Sequence, residues 1–306
     1  MKTNNNHSLT IVGGSGFIGK SIIDSFNRGL LRKHQIKKLN IICRKKIKFQ
    51  KKRLNLKKVN LIYSDIKNLV RLPKSDFYIY AAESTNLNFY NKKDNIKNIT
   101  HHKKSITNFI KLVTKLNNIK ILYISSGSVN SRGKMNQKGT YKNLYTKLKI
   151  FSENKIKKLE KNKVKTSIAR CYSFVGPHLP LNNHYAIGNF LRQAKYDKKI
   201  TVHKKNKVIR SYLYADDMVE WLIKILKNSK KRTVLYNVGS DRPIELLDLA
   251  KKITKLFKNK VLISKERYES KKIDKYVPII RKTKNDLKVK ILYNLTKSLK
   301  KSLKFV

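Results

Sequence analysis

An apolar run, Leu9-Thr10-Ile11-Val12, leads into Gly13-Gly14-Ser15-Gly16-Phe17-Ile18-Gly19, and helical sequence follows from Phe17 to about Leu30. No other feature limits the fold as much. Glycines 13, 16 and 19 recur at every third residue, between a strand and a helix. The first permits a tight turn, the second lets a phosphate group approach the backbone, and the third lets the helix lie close on the strand. The helix N-terminus offers amides and a positive dipole end to that phosphate. The rest of the chain repeats the alternation. Leu39–Cys43, Val59–Ser64, Phe77–Ala82, Ile119–Ser125 and Val164–Tyr172 read as strands. Ile96–Leu116 and Tyr141–Leu159 read as helices, the former with Ile99, Ile106, Phe109, Ile110 and Val113 on one stripe. Strand–helix alternation predicts an α/β fold with a doubly wound parallel sheet. After Gly176-Pro177 the pattern becomes shorter and mixed, with helices near Asp216–Lys227 and Ile244–Phe257.

Composition excludes several classes. The chain has 306 residues, of which 40% are hydrophobic, enough for a substantial core. No apolar run approaches the roughly 18 residues of a membrane span. Cys43 and Cys171 are too few for a disulfide framework or a zinc site, and no metal site is expected. The N-terminus has no secretory apolar region, so a soluble, cytoplasmic protein is expected. Lys and Arg number 73 against 18 Asp and Glu, a formal charge of +55. Such a balance points to polyanions. Here, however, the lysines are spread along the whole chain with many Asn and Ile, as codon composition alone would give. No basic arm or aromatic–basic signature accompanies them, so no specific nucleic-acid partner is expected.

The glycine loop in this setting points to a dinucleotide-binding domain over 1–174, followed by a smaller region over 175–306 from which segments can return to the first domain. An acid at the end of the second strand would hold the ribose 2′-OH of NAD. This chain has Cys43-Arg44-Lys45-Lys46 instead. A cationic end suits a 2′-phosphate, which favours NADP and leaves NAD open. Asp65-Ile66 follows the third strand, where an acid can accept from the adenine amino group.

The fifth strand ends in Ser125-Ser126, and Tyr145-Thr146-Lys147-Leu148-Lys149 follows on a predicted helix. The i,i+4 spacing puts Tyr145 and Lys149 on one face. A tyrosine titrates near pH 10 on its own. An ammonium beside it favours the phenolate, which can then exchange a proton with a sugar hydroxyl or carbonyl. Ser126 would hydrogen-bond the same oxygen.

With these residues in place, the sequence resembles the extended short-chain dehydrogenase/reductases, the NAD-dependent epimerase/dehydratase group acting on nucleotide sugars. The resemblance rests on IVGGSGFIG, YISSGSV, YTKLKIFSE, ARCYSFVGP, VIRSYLYADDMVEWL and YNVGSDRPIELLDLA, in that order. It implies a Rossmann-type NAD(P)-binding domain over 1–174 with a substrate-binding region over 175–306, and Ser126, Tyr145 and Lys149 as the catalytic triad, with Lys149 also at the cofactor. It implies a cofactor set of Gly13, Gly16, Phe17, Ile18, Gly19, Arg44, Asp65, Ile66 and Ala81. Asn183 and Arg210 join Ser126 and Tyr145 at the substrate, with Arg210 on the nucleotide diphosphate, where a guanidinium fork matches phosphate. It also implies a homodimer built on the Tyr145 helix and the Ile96–Leu116 helix. Two departures stand out. The family's Val-Tyr-Gly after the serine strand is Val129-Asn130-Ser131 here, and the stretch from Ser126 to Tyr145 is short. Nucleotide-sugar 4,6-dehydratases carry Thr-Asp-Glu at the serine position; here it reads Ser126-Gly127-Ser128, without an acid.

The expected activity is therefore NAD(P)-dependent epimerisation or 4-keto reduction at C4 of a nucleotide-diphosphate sugar, in surface polysaccharide synthesis by resemblance. The alternatives are a 4,6-dehydratase, and a non-catalytic dinucleotide-binding protein using its basic surface for RNA or a partner. His101-His102 reads as a solvated helix face. Asp216 and Asp217 read as a helix cap, Cys171 as core, and the C-terminal tail as an amphipathic helix packed on its domain.

Overall fold

In the computed structural model, β1 (His7–Val12) and α1 (Phe17–Asn27) flank the glycine turn, as the apolar run and the glycine spacing predict. The structure describes residues 6–47, 58–83, 95–131, 141–161, 164–181, 185–202, 207–257, 262–265 and 273–305. The chain continues through β2 (Ile36–Cys43), β3 (Val59–Tyr63), β4 (Phe77–Tyr80), α2 (Asn95–Val113), β5 (Lys120–Ser126), α3 (Tyr141–Lys157), β6 (Lys165–Cys171) and β7 (Phe174–Val175). Then come α4 (Ala186–Arg192), β8 (Lys199–Val202), β9 (Lys207–Arg210), β10 (Leu213–Tyr214), α5 (Ala215–Lys227) and β11 (Val234–Val238). The last elements are β12 (Ile244–Glu245), α6 (Leu246–Thr254), β13 (Leu262–Lys265), β14 (Ile273–Tyr276), α7 (Arg281–Leu287) and α8 (Leu295–Leu303).

Two units result. One comprises residues 1–170 and 219–236, the other 171–218 and 237–306. The sequence reading drew the boundary at 174; the structure divides at 170 and returns 219–236 to the first unit.

The first unit holds the large sheet, in the order β11-β6-β5-β4-β1-β2-β3. The pairs β1–β2, β1–β4, β2–β3 and β4–β5 are parallel. This is a Rossmann-type arrangement whose strand order reverses between β1 and β4, the position where such sheets bind ligands at their carboxyl ends. Parallel strands covered on both faces must be apolar along their length. Leu9, Ile11 and Val12 of β1 and Tyr78 and Ile79 of β4 are accordingly fully buried. Val12 and Tyr78 share a core with Ile106, Phe109 and Val113 of α2 and Ile156 of α3. Several polar groups buried in this unit are paired. Thr10 Oγ1 meets Ser75 Oγ at 2.7 Å, and Asn40 Nδ2 donates to Ser75 Oγ at 2.9 Å. Tyr78 donates its hydroxyl to the Pro73 carbonyl at 2.8 Å, and burial pushes this phenol up to about 12.

Within the first unit, Lys33 Nζ and His34 Nε2 reach Glu220 Oε2 at 2.8 and 2.9 Å. Burial pushes Glu220 upward, but the hydrogen bonds and charges of His34 and Lys33 outweigh it and bring the carboxyl down to about 2. A carboxylate lowered on folding stabilises above its unfolded value, and this stability is lost as pH falls through the folded one. Glu220→Gln is expected to cost about 1–2 kcal/mol at neutral pH and almost nothing at pH 2. Solvent around the largely exposed Lys33 keeps the cost below what the full displacement would imply. Denaturant unfolding of both proteins across that range checks this; an equal difference at both ends would refute it.

The second unit is built of small sheets: β7 beside β10, β8 beside β13, and β9 between β12 and β14. Its core gathers Val175, Phe190, Leu191, Ile200, Leu249, Ile253 and Leu299. The predicted helix over Ile244–Phe257 begins later, at Leu246, because Ile244 and Glu245 pair antiparallel with Arg210 and Ile209. The C-terminal helix packs as predicted. Asn294 accepts the Lys297 amide at 2.9 Å as its cap, and Leu299 enters the core. Asp216 and Asp217 lie in the first turn of α5, as expected. Asp217 is 2% exposed, and its Oδ2 also accepts the Leu292 and Tyr293 amides at 3.1 Å each, which ties a distant loop to that turn.

Candidate active site

The glycine turn has little space. Gly13 has φ +102°, a region that favours glycine, and a Cβ there would lie 2.6 Å from the Ala81 carbonyl carbon and oxygen. A Cβ on Gly19 would lie 2.5 Å from Gly13 O. Gly16 differs: its nearest atom would be 3.7 Å away. It precedes α1 at the N-cap, where no side chain bonds the helix. Ala81, immediately after β4, donates its amide to Val12 O at 2.8 Å and so closes the turn from the other side. Phe17 and Ile18 open α1. The cradle fits a dinucleotide pyrophosphate, with glycine wherever a side chain would meet backbone and open space at the middle glycine.

Arg44 and Asp65 lie together. Asp65 Oδ1 accepts the Lys67 amide at 3.1 Å, capping the turn over Ile66–Asn68, and Ile66 is buried beneath it. Its other oxygen lies 2.7 Å from His101 Nε2 and 4.0 Å from Arg44 NH1. Burial pushes Asp65 up, but His101, the Lys67 amide and Arg44 bring it below the ordinary carboxylate range. One face of the expected adenine contact is thus held by His101. Arg44 is half-exposed and suited to an anion from solvent.

The residues expected to be catalytic sit on β5 and α3. Ser126 ends β5 and is 7% exposed, with Oγ accepting the Ser128 amide at 3.2 Å. Lys149 is buried and donates to the Ile124 carbonyl on the same strand at 2.8 Å. Its Nζ lies 5.6 Å from the centre of the half-buried Tyr145 ring. The structure therefore brings Lys149 against Tyr145 and against the strand that carries Ser126. Arg210 forms a forked contact with Asp274, NH2 to Oδ2 at 2.7 Å and NH1 to Oδ1 at 3.3 Å. A nucleotide phosphate would have to share that guanidinium. Asn183 lies outside the described residues.

Several residues escaped the sequence reading. Lys149 is ion-paired with Glu83, and both side chains are 5% exposed. Tyr123 donates its hydroxyl to Glu83 Oε1 at 2.6 Å. His102, read as solvated, is 6% exposed, with Nε2 2.9 Å from Ser152 Oγ and 3.8 Å from Glu83 Oε1. His101 is likewise drawn in by Asp65. The lysines around this pair suggested a wet face, but α2 turns both histidines toward the sheet. Behind Ser126, Ser125 donates to Glu153 at 2.5 Å, and Arg170 clamps Glu153 by two bonds of 2.9 and 2.7 Å. Arg170 also donates to Asn130, the residue standing where the family has tyrosine. The one signal available for Glu83 was an acid directly after the apolar run Phe77–Ala82.

Burial alone would raise Glu83. The charges of Lys149 and His102, with hydrogen bonds from Lys149 and Tyr123, bring it below the usual range instead. Burial and then the charge of Glu83 push Tyr123 well above ordinary tyrosine, so it stays a donor. Burial lowers His102, against the pull of Glu83.

Residues 9–239 match the NAD dependent epimerase/dehydratase family. The chain belongs to that family. As a family member it is an enzyme of the extended short-chain dehydrogenase/reductase type. It is 27% identical over 275 residues to dTDP-D-glucose 4,6-dehydratase of Dictyostelium discoideum, covering 80% of this chain and 61% of that one. Its matches to the first curated relatives span less than two thirds of their length. Among solved structures, UDP-glucose 4-epimerase of Thermotoga maritima with UDP-glucose shares 14% identity at a TM-score of 0.77, covering 97% of this chain and 98% of that one. The Bordetella bronchiseptica enzyme WbmF in complex with NAD+ shares 15% identity at 0.77, covering 98% and 92%. At such identities these likenesses show the fold. Among the described residues of this family member, no helix is long and apolar enough to cross a membrane, and no cluster of metal-ligating side chains occurs.

Proposed function

We propose that the chain catalyses epimerisation or 4-keto reduction at C4 of a nucleotide-diphosphate sugar, in the cytoplasm and as a homodimer. The observation that carries this is Lys149 packed against both the Tyr145 ring and the carbonyl of Ile124, two residues from Ser126. When bound, the nicotinamide supplies hydride acceptance and return. The protein's own residues handle the proton. Tyr145 Oη takes it from the sugar hydroxyl during oxidation and returns it during reduction. The ammonium of Lys149 favours the phenolate at that moment, and Ser126 Oγ donates to the same sugar oxygen as its charge develops. Gly13, Gly16 and Gly19 would hold the pyrophosphate, Phe17, Ile18 and Ala81 would line its turn, and Asp65 and Ile66 would meet the adenine. Arg44 favours NADP, since a 2′-phosphate would find a guanidinium where an acid would repel it. Arg210 would meet the nucleotide diphosphate.

The match to a 4,6-dehydratase supports that activity as a second reading. Water elimination calls for acids beside the serine, however, and Ser126-Gly127-Ser128 supplies none. The test is to denature the purified protein and identify released nicotinamide by mass spectrometry. The protein is then incubated with UDP- and dTDP-hexoses and the products are read by NMR. Retained NAD(H) with a change at C4 alone supports an epimerase, because hydride is borrowed and returned. An empty site that binds NADPH and reduces a 4-keto sugar supports the reductase. A 4-keto-6-deoxy product would replace the proposal with the dehydratase.

A further inference from the structure

We propose that Glu83 is a positioning residue, the counter-ion that keeps a charged Lys149 against Tyr145. The proposal rests on the reading of Tyr145 as the acid/base. The ammonium of Lys149 sits 5% exposed, against the Ile124 carbonyl and the Glu83 carboxylate. A buried ammonium needs a counter-charge, or burial drives off its proton. Lys149, His102 and Tyr123 all favour the charged form of Glu83. From β5, Tyr123 donates to it at 2.6 Å. From α2, His102 stands 3.8 Å away, itself bonded to Ser152 of α3. From β4, Tyr80 is fully buried near it and held neutral by burial and by Glu83 itself. Asp65 and Arg44 act on Tyr80 in opposite directions, the acid raising and the cation lowering its phenol. Lys149 is thus the cation of the cluster, and it lies between Glu83 and the Tyr145 ring.

Removing the carboxylate has one expected direction. Glu83→Gln leaves the ammonium buried without its counter-charge, so Lys149 gives up its proton at a lower pH. Tyr145 then loses the positive charge that favours its phenolate, and its titration midpoint rises. The readout needs no substrate. The near-ultraviolet absorbance of tyrosinate is titrated in the full chain and in Tyr145→Phe, and the difference isolates Tyr145 from the other tyrosines. In the Glu83→Gln background this midpoint is expected to rise by about one pH unit, roughly tenfold in phenolate at fixed pH. Glu83→Asp keeps the charge and is expected to restore most of the shift. In Lys149→Met, Glu83→Gln is expected to produce no rise, since the group it acts through is gone.

An unmoved or lowered midpoint in Glu83→Gln would overturn the proposal, as would the same rise with and without Lys149. If Glu83→Gln alone fails to fold, the doubly neutral Glu83→Gln/Lys149→Met pair and the Glu83→Asp variant carry the comparison. Removing both partners of a buried pair is tolerated better than removing one. A shifted midpoint in a protein that converts no nucleotide sugar would uphold this role of Glu83 while the functional reading fell. Normal sugar conversion with an unshifted midpoint would do the reverse.

Discussion

Tyr145→Phe is expected to lower turnover of the nucleotide sugar by about 10²–10⁴-fold, the usual worth of a positioned acid/base. The substitution removes one oxygen and keeps the ring that lies 5.6 Å from Lys149 Nζ. The half-buried ring can keep its packing, so the folding cost should stay within about 1 kcal/mol. Retained nicotinamide should be unchanged, because the glycine turn is untouched. KM should move little and kcat should carry the loss, the pattern of an interaction made only in the transition state. Steady-state kinetics with the sugar identified by the product screen would check this. Unchanged kcat would sink the acid/base assignment, and with it the C4 reading.

Gly13→Ala is expected to destabilise the protein by about 3 kcal/mol or more and to abolish cofactor retention. Two causes combine. The residue sits at φ +102°, where an L side chain is strained, and the new methyl would lie 2.6 Å from backbone atoms of Ala81. Backbone cannot move aside as a flexible side chain can, and Ala81 is fixed by its bond to Val12 O. For a chain of 306 residues the loss corresponds to roughly 5 °C or more in the unfolding midpoint. Gly16→Ala provides the contrast. Its methyl would meet nothing closer than 3.7 Å, so the fold should persist while the methyl occupies the approach to the helix N-terminus. Thermal melts and mass spectrometry of released cofactor separate the two effects. A Gly13→Ala protein that melts like the parent would refute the crowding argument. A Gly16→Ala protein that keeps its cofactor would place the pyrophosphate elsewhere.

What could be read in advance divides by sequence distance. The parallel sheet was legible because strands covered on both faces must be nearly continuous apolar runs, and Leu9–Val12, with Thr10 its one polar residue, and Phe77–Tyr80 are such runs. The glycine turn and the Tyr145–Lys149 pair are local patterns with fixed spacing. The ion pair of Glu83 and Lys149 joins residues far apart in the chain, and no local period announces it. The surrounding lysines concealed His101 and His102, since a helix in a lysine-rich sequence looks polar on every side. In the second unit, β7, β10 and β12 are two residues each and leave no alternation to detect.

The return of residues 219–236 to the first unit bears on how the protein is made. A ribosome releases the chain vectorially, so β6 emerges well before β11, its neighbour at that side of the sheet. At about 5–20 residues per second, this border of the sheet waits several seconds for its last strand. Through that interval a strand whose residues Thr166 to Ala169 are fully buried in the finished protein lacks its partner, the condition in which chains associate with one another. Trp221 and Leu222, fully buried in the finished protein, also arrive late. The nascent first unit is therefore completed only by sequence that follows much of the second, and the two cannot mature as independent, successive products of translation.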